Sequence, residues 1–372
     1  MLNIKNIYPI GIDFSDRNVY AAQFQKTRQG VTIRELFHRE LDHESTGRNT
    51  LDDEIVPVLK EISKSKRFRG KSVAIHLPPK HINSFPITFE IGADETIEDA
   101  IVRECRRHLS FPIEEAVIDY PSIIDMSSGK NKKFKAIVIA VQKNIVEQYT
   151  HLLRQAGLWI EAIDLNLSSL FRLHHYLYSI KEDPVILCNI GHHQSLIAIV
   201  TQNSILAQRN SPWGIHHLLN RLETNLELTA SKDKTAGMLK QYGLFYEHFK
   251  NASDDLSVKK NGHIDDVMEI YRIVFQILSP HVDALIHEFY QITGYVRSEM
   301  QGARFEEISM YGQAGSLNFL DQYLGKRLDI PTKCINPMLK FTLSDSSLLP
   351  DTDEGAPYAL ALGLAMRKMT WL

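Results

Sequence analysis

Three short segments of the chain carry residues that could bind phosphate. They run from Asp13 to Asn18, from Asn189 to Gln194 and from Gly312 to Gly315, and each follows an apolar run typical of a buried strand. In such turns backbone N–H groups can point at phosphate oxygens, and a glycine lets the backbone approach them closely. Because glycine and serine also serve ordinary turns, the prediction of a phosphate site depends on the three segments together.

Composition and charge exclude several other chemistries. The chain has 372 residues with 42 basic and 45 acidic side chains, and its net charge of −3 gives no support to nucleic-acid binding. Its three cysteines are too few for a disulfide framework or a cysteine-rich zinc site, and they indicate a reducing compartment. The segment from Met1 to Gly11 lacks a secretion signal, and the apolar runs are far shorter than the roughly 20 residues of a membrane-spanning helix. We therefore expect a cytoplasmic protein.

Paired histidines and a basic run are weaker signals. Adjacent histidines occur at 174–175, 192–193 and 216–217, but neighbouring residues on one element point in different directions. Without cysteine or carboxylate at ligand spacing, these pairs do not favour a metal site. The basic run from Lys64 to Lys71 is typical of a solvated surface, with attraction to anionic lipid or to an acidic partner as the alternative.

Hydrophobic periodicity predicts an α/β protein whose opening hairpin occurs twice. The apolar runs around the first two turns superpose without a gap when Gly11 is laid over Leu187, which indicates a duplicated core. Between these halves lies a small α+β insert, whose first helix has Asp94 as its expected N-cap. The second half becomes helical, and Ser279 followed by Pro280 predicts that one helix stops there and another begins.

Along nearly its whole length the chain resembles the PilM family of type IV pilus assembly proteins, which is itself similar to the cell-division protein FtsA. The most specific segment runs from Glu95 to Tyr120 and includes Glu104, Glu114 and the stretch from Leu109 to Pro112. The resemblance implies an actin-like (ASKHA) bilobed α/β fold with a duplicated core and a small α+β insert in lobe one. It divides the chain into subdomain 1A (1–79 and 164–182), insert 1C (80–163), subdomain 2A (183–215 and 304–372) and helical subdomain 2B (216–303).

The same resemblance assigns a nucleotide site to the three turns. ATP or ADP with Mg²⁺ is expected to bind there weakly or not at all, with Asp13 as the metal ligand. The candidate cofactor-binding residues are Asp13, Ser15, Arg17, Asn18, Asn189, Gly191, Gln194, Gly312 and Gln313.

Several of these residues depart from the family pattern. Asn189 stands where the family has an aspartate, Ser15 replaces a glycine, and Gln313 interrupts a glycine run. A neutral amide holds a hard dication less well than a carboxylate, and a side chain prevents close approach of the backbone. We therefore expect a degenerate site without useful ATP hydrolysis and assign no catalytic residue. In the alternative interpretation Arg17 and the histidines at 192–193 neutralise phosphate directly and reduce the need for magnesium.

The resemblance implies that the function is to bind a partner protein rather than to hydrolyse ATP. In the family, a groove beside the insert holds the cytoplasmic tail of the membrane protein PilN, which carries an Asn-Leu-Leu-Pro-like sequence, and a sheet edge with side-chain pockets can bind such a peptide. We expect a cytoplasmic protein that is peripheral at the inner membrane through this PilN-like partner and other pilus assembly proteins. The sequence does not identify the groove residues.

Other functions of the same fold stay open. The main alternative is an active Mg-ATP-binding actin-like ATPase, and the sequence does not decide whether such a protein forms filaments. A sugar kinase is less favoured because the sequence offers no clear base for a substrate hydroxyl. The related type II secretion machinery is an alternative setting for the docking function.

Overall fold

The computed structural model describes residues 7–14, 17–28, 30–41, 51–92, 94–120, 123–127, 132–178, 183–202, 204–226, 232–245, 262–300, 302–345 and 355–369. These residues form two compact units. The first consists of the described parts of Met1–Ser45, Ser65–His76 and Glu161–Leu372, and the second of those of Thr46–Lys64 and Leu77–Ile160. No helix in the described ranges is long and apolar enough to span a membrane.

The described residues form both helices and strands, as the hydrophobic periodicity predicts. The strands are β1 (Ile10–Phe14), β2 (Asn18–Thr27), β3 (Gly30–Glu40), β4 (Ser72–His76), β5 (Asn83–Glu90), β6 (Ala116–Asp119), β7 (Ile123–Asp125), β8 (Lys133–Gln142), β9 (Trp159–Asp164), β10 (Val185–Ile190), β11 (Ser195–Val200), β12 (Ile205–Ser211), β13 (Ile308–Gly312), β14 (Thr332–Cys334) and β15 (Thr342–Leu343). The helices are α1 (Leu51–Lys64), α2 (Ile97–Cys105), α3 (Lys143–Gln155), α4 (Asn166–Leu177), α5 (His216–Asn225), α6 (Lys232–Gln241), α7 (Gly262–Glu299), α8 (Leu320–Leu328) and α9 (Ala359–Ala365).

The first unit contains two sheets with the same strand arrangement. One has the order β15-β3-β2-β1-β4-β9 and the other the order β12-β11-β10-β13-β14. In each sheet the first strand of a hairpin pairs antiparallel with its successor and parallel with a later strand. Gly11 lies opposite Ala22 in the first hairpin and Leu187 lies opposite Ala198 in the second. The two halves of the predicted repeat therefore share one register as well as one order.

Two helices, α4 and α9, contribute to the apolar core that the two halves share. Side chains of α4 and α9 join one apolar core with β2, β10 and β11. Helix α9 comes so close to β1 that a Cβ placed on Gly11 would lie 2.0 Å from the carbonyl oxygen of Ala361. Gly11 is therefore required by helix–strand packing, and this contact sets the position of the turn that follows β1.

Helices α5, α6, α7 and α8 pack on the face of the second sheet that is opposite α4 and α9. One of them, α7, differs from the prediction. Helix α7 continues through Ser279 and Pro280 as a single helix of 38 residues. Proline removes one N–H and crowds the preceding turn, which normally interrupts a helix. Here Leu278 and Val282 on either side of the proline are fully buried in the same core, so apolar packing keeps the helix continuous.

The second unit is built on a small antiparallel sheet. Its strands have the order β5-β8-β6, with β7 also paired to β8, and α2 packs its apolar side against one face. The prediction that Asp94 caps α2 is wrong, because Thr96 is the N-cap and forms a reciprocal capping box with Asp99. Thr96 lies directly before the first apolar residue of the helix, where a cap is normally found.

Candidate nucleotide-binding site

The first predicted turn ends a buried strand, and its carboxylate already has a partner. Asp13 is 5% exposed, and its Oδ1 lies 2.6 Å from Nε2 of His76. His76 is the last residue of β4, the parallel neighbour of β1, so the carboxyl ends of both strands meet at one edge of the sheet. The sequence analysis missed His76, because the pairing of β4 with β1 is not visible in either segment alone.

The rest of the first turn contributes a cation and an amide. Arg17 lies 3.5 Å from a carboxylate oxygen of Glu40. Oδ1 of Asn18 lies 2.7 Å from Nε2 of His38, whose ring stacks on Tyr20 with a centroid separation of 4.6 Å. Asn18 therefore positions a stacked pair of rings. Ser15 lies outside the described residues.

The second turn closes on itself through its glycine. The N–H of Gly191 donates to the carbonyl oxygen of Gln194 at 3.0 Å, and a Cβ at Gly191 would lie 2.5 Å from that oxygen. The carbonyl of Gly191 accepts from Ile215, just before α5. The tight turn at Gly191 and Gln194 is therefore tied to the start of α5.

The third turn requires glycine at its first position. Gly312 has a φ of +70°, and a Cβ there would lie 2.3 Å from the carbonyl oxygen of Ile190 and 2.8 Å from Oδ1 of Asn189. An L-residue at this φ is strained, and the neighbouring backbone leaves no room for a side chain. The short turn of 3₁₀ helix Gln313–Ser316 follows directly. The ends of β10 and β13 thus bring Asn189 and Gly312 together.

Histidines from two elements meet beside these turns. His192 and His193 follow Gly191, and His216 and His217 begin α5. The N–H of His216 donates to the carbonyl oxygen of His192 at 3.0 Å, which joins the two pairs. His192 also has a side-chain hydrogen bond with Gln313. Burial is the main cause that lowers the pKa of His192 to about 4, and its positively charged or titratable neighbours add to the effect.

A cavity of about 400 Å³ lies next to Gln313, within the first unit. This volume is within the range of small-molecule sites. Its lining residues include aromatic rings for stacking and glycines that leave space: Tyr20, His38, Ile215, Leu219, Ala236, Gly237, Leu239, Lys240, Gly312, Gln313, Gly315, Ser316, Pro357 and Tyr358. Of the predicted residues Gly312 and Gln313 line it directly. The sequence analysis missed its walls from β2, β3 and α6.

The residues present fit a nucleotide better than a divalent cation. The cavity offers an apolar and aromatic surface for a base, with glycine turns beside it where backbone can approach phosphate. The Asp13 carboxylate is engaged by His76, and the second turn supplies the neutral amide of Asn189. Among the described residues there is no group of three His, Cys, Asp or Glu side chains that could hold a metal ion. When bound, a magnesium ion would have only Asp13 as a charged ligand among the described candidate residues.

Solved structures of low sequence identity share this fold. The chain is 17% identical to a "PilM-PilN type IV pilus biogenesis complex" over 97% of this chain and 98% of that chain, with a TM-score of 0.73. It is 12% identical to the ethanolamine utilization protein EutJ from Carboxydothermus hydrogenoformans, over 96% and 89% of the two chains (TM-score 0.52). MreB5 of Spiroplasma citri bound to ADP is also 12% identical, over 96% and 95% (TM-score 0.50). The predicted actin-like α/β fold is confirmed.

A family model covers the part of the chain that contains the first two predicted phosphate turns and the insert. It describes the type IV pilus assembly protein PilM and matches residues 11–252, more than half of the sequence. The match includes the segment from Glu95 to Tyr120 on which the resemblance was first based. The chain therefore belongs to the PilM family of type IV pilus assembly proteins.

Proposed function

We propose that this chain is a cytoplasmic scaffold of the inner-membrane complex that assembles a type IV pilus, and that it binds the cytoplasmic tail of a PilN-like membrane protein. The observation that carries this proposal is the family match over residues 11–252. The fold shared with a solved complex whose title names PilM and PilN supports it. The chain would thus reach the membrane through its partner.

The test is direct binding of the partner's tail. A fluorescent peptide with the first residues of the PilN-like protein encoded by the same organism is titrated with the full chain, and fluorescence anisotropy is measured. We expect a dissociation constant in the micromolar range and no binding of a peptide with the same composition in scrambled order. An affinity no stronger than millimolar for the native peptide would contradict the docking function.

We also propose that the cavity binds an adenine nucleotide without turning it over at a useful rate. Support comes from the aromatic and glycine walls of the cavity and from the close approach of Gly312 to the end of β10. The neutral Asn189 and the engagement of Asp13 by His76 leave little negative charge to hold a metal ion.

An active ATPase is the second candidate, and the intact backbone geometry at Gly191 and Gly312 favours it. Phosphate release from Mg-ATP distinguishes the two functions. We expect the wild-type chain to release phosphate no faster than the Asp13→Asn variant, which keeps an oxygen acceptor for His76. Turnover in the wild type that this substitution abolishes would establish the ATPase and refute the non-hydrolysing site.

A further inference from the structure

Four imidazole rings form one continuous cluster in the first unit. We define the histidine cluster as His192, His193, His216 and His217. Ring centroids are separated by 4.6 Å between His192 and His193, 4.2 Å between His193 and His216, and 3.8 Å between His216 and His217. Each pair alone is adjacent in sequence and would point in two directions. The backbone hydrogen bond between α5 and the second turn is what unites them.

The side chain of Gln313 connects the histidine cluster to the cavity. Gln313 lines the cavity and is hydrogen-bonded to His192. Gly214 gives the close backbone packing that holds this arrangement, because a Cβ there would lie 2.3 Å from the carbonyl oxygen of His192. The cluster therefore lies one hydrogen-bonded side chain away from the cavity.

The charged groups around the cluster are mostly basic. Arg17 faces His192 from the turn after β1, and Arg221 and His217 face His281 of α7. These neighbours, together with burial, lower the pKa values of His192 and His281. Glu40 is an acidic group close to Arg17, at 3.5 Å, and its side chain is exposed. Several like charges held together in this way disfavour protonation until an anion is present.

We propose that the histidine cluster binds the phosphate groups of an adenine nucleotide, and that protons taken up by its imidazoles replace the divalent cation. The inference rests on the nucleotide binding proposed above. A phosphate oxygen beside an imidazole stabilises its protonated form, so binding takes up protons and the affinity rises as the pH falls. By the same linkage, uptake of one full proton per bound nucleotide raises the affinity tenfold for each unit by which the pH is lowered.

The experiment is calorimetric titration of the full chain with ADP in EDTA at pH 6.0 and pH 8.0, with adenosine as a probe that lacks phosphate. We expect ADP to bind at least about fivefold more tightly at pH 6.0, a ratio that corresponds to partial uptake of one proton. Adenosine should bind equally at both pH values. The binding enthalpy measured in buffers of different ionisation enthalpy should show that protons are taken up when ADP binds and not when adenosine binds.

Variants of the histidine cluster distinguish protonation of its imidazoles from protonation of ADP as the cause of the pH dependence. All pH ratios are corrected for the protonation of free ADP. His193 is exposed, so the His193→Asn variant is expected to fold. Its ratio of ADP affinities at pH 6.0 and pH 8.0 should fall to near unity, the same value as in a His193→Asn/His216→Asn double variant. His287→Asn is the matched control, because His287 lies on the exposed side of α7 and is hydrogen-bonded to Gln291. It should retain the wild-type ratio.

The outcomes are distinct. An unchanged pH ratio in the cluster variants, or ADP binding that EDTA abolishes at both pH values, would overturn the inference while leaving the nucleotide site in place. Failure of both ADP and adenosine to bind at either pH would overturn the nucleotide site and the inference together. Peptide binding by the partner tail would be unaffected in either case.

Discussion

Replacing Gly237 by phenylalanine is expected to lower the affinity for ADP and for adenosine at least about 100-fold, equivalent to about 2.7 kcal/mol. Gly237 lies on α6 in the wall of the cavity, and a Cβ placed there meets no heavy atom within 4 Å. A benzyl group at this position therefore enters the space that the base would occupy without displacing protein atoms. The measurement is calorimetric titration with each ligand.

Two controls separate loss of space from damage to the helix. Gly237→Ala adds one methyl group to open space, so it should stabilise α6 by up to about 1 kcal/mol and leave the affinities nearly unchanged. Gly294→Phe places the same ring on α7, at another helical glycine with open space around it, and should bind ADP like the wild type. A folded Gly237→Phe variant with unchanged ADP affinity would show that the nucleotide binds elsewhere.

Removing the Asp13 side chain is expected to lower the free energy of unfolding by about 3 kcal/mol. Asp13 and His76 are both nearly inaccessible to solvent and lie 2.6 Å apart, so Asp13→Ala takes away a short buried contact of the imidazole. Breaking a buried polar pair by truncating one member costs a few kcal/mol, because the other member loses its partner without regaining water. Urea denaturation at pH 7 measures the loss.

Asp13→Asn is the matched control for this prediction. Its amide oxygen still accepts a hydrogen bond from Nε2 of His76, so the loss should stay below about 1 kcal/mol. An Asp13→Ala variant as stable as the wild type would refute a structural role for the pair. The result matters for enzymology, because loss of activity in Asp13→Ala alone does not distinguish a metal ligand from a fold-stabilising carboxylate.

The sequence predicted the repeated hairpin because that signal is local. Gly11 and Leu187 each stand in a short apolar run followed by turn residues, and the structure places both in hairpins of identical register. Gly312 was found for the same reason, since only glycine adopts its backbone conformation without strain. Features that one segment determines by itself were therefore accessible from the sequence.

Features that depend on contacts between two distant segments were not accessible from the sequence. His76 meets Asp13 only because β4 and β1 are parallel neighbours, and Lys240 and Tyr358 line one cavity only through tertiary packing. The break predicted at Pro280 fails for a related reason: the local penalty of proline is smaller than the gain from burying the apolar residues on both sides of it. Tertiary contacts overrode a correct local preference.

The walls of the cavity come from both halves of the repeat. Tyr20 and His38 belong to the first sheet, whereas Gly237 and Lys240 belong to a helix associated with the second. A small molecule seated there acts as a non-covalent cross-link, because neither half can open without releasing it. For openings that release the ligand, amide hydrogen exchange in β3 and in α6 is then slowed by the same factor, which is set by the ligand concentration relative to Kd, so saturation of the cavity makes the two duplicated halves behave as one cooperative unit.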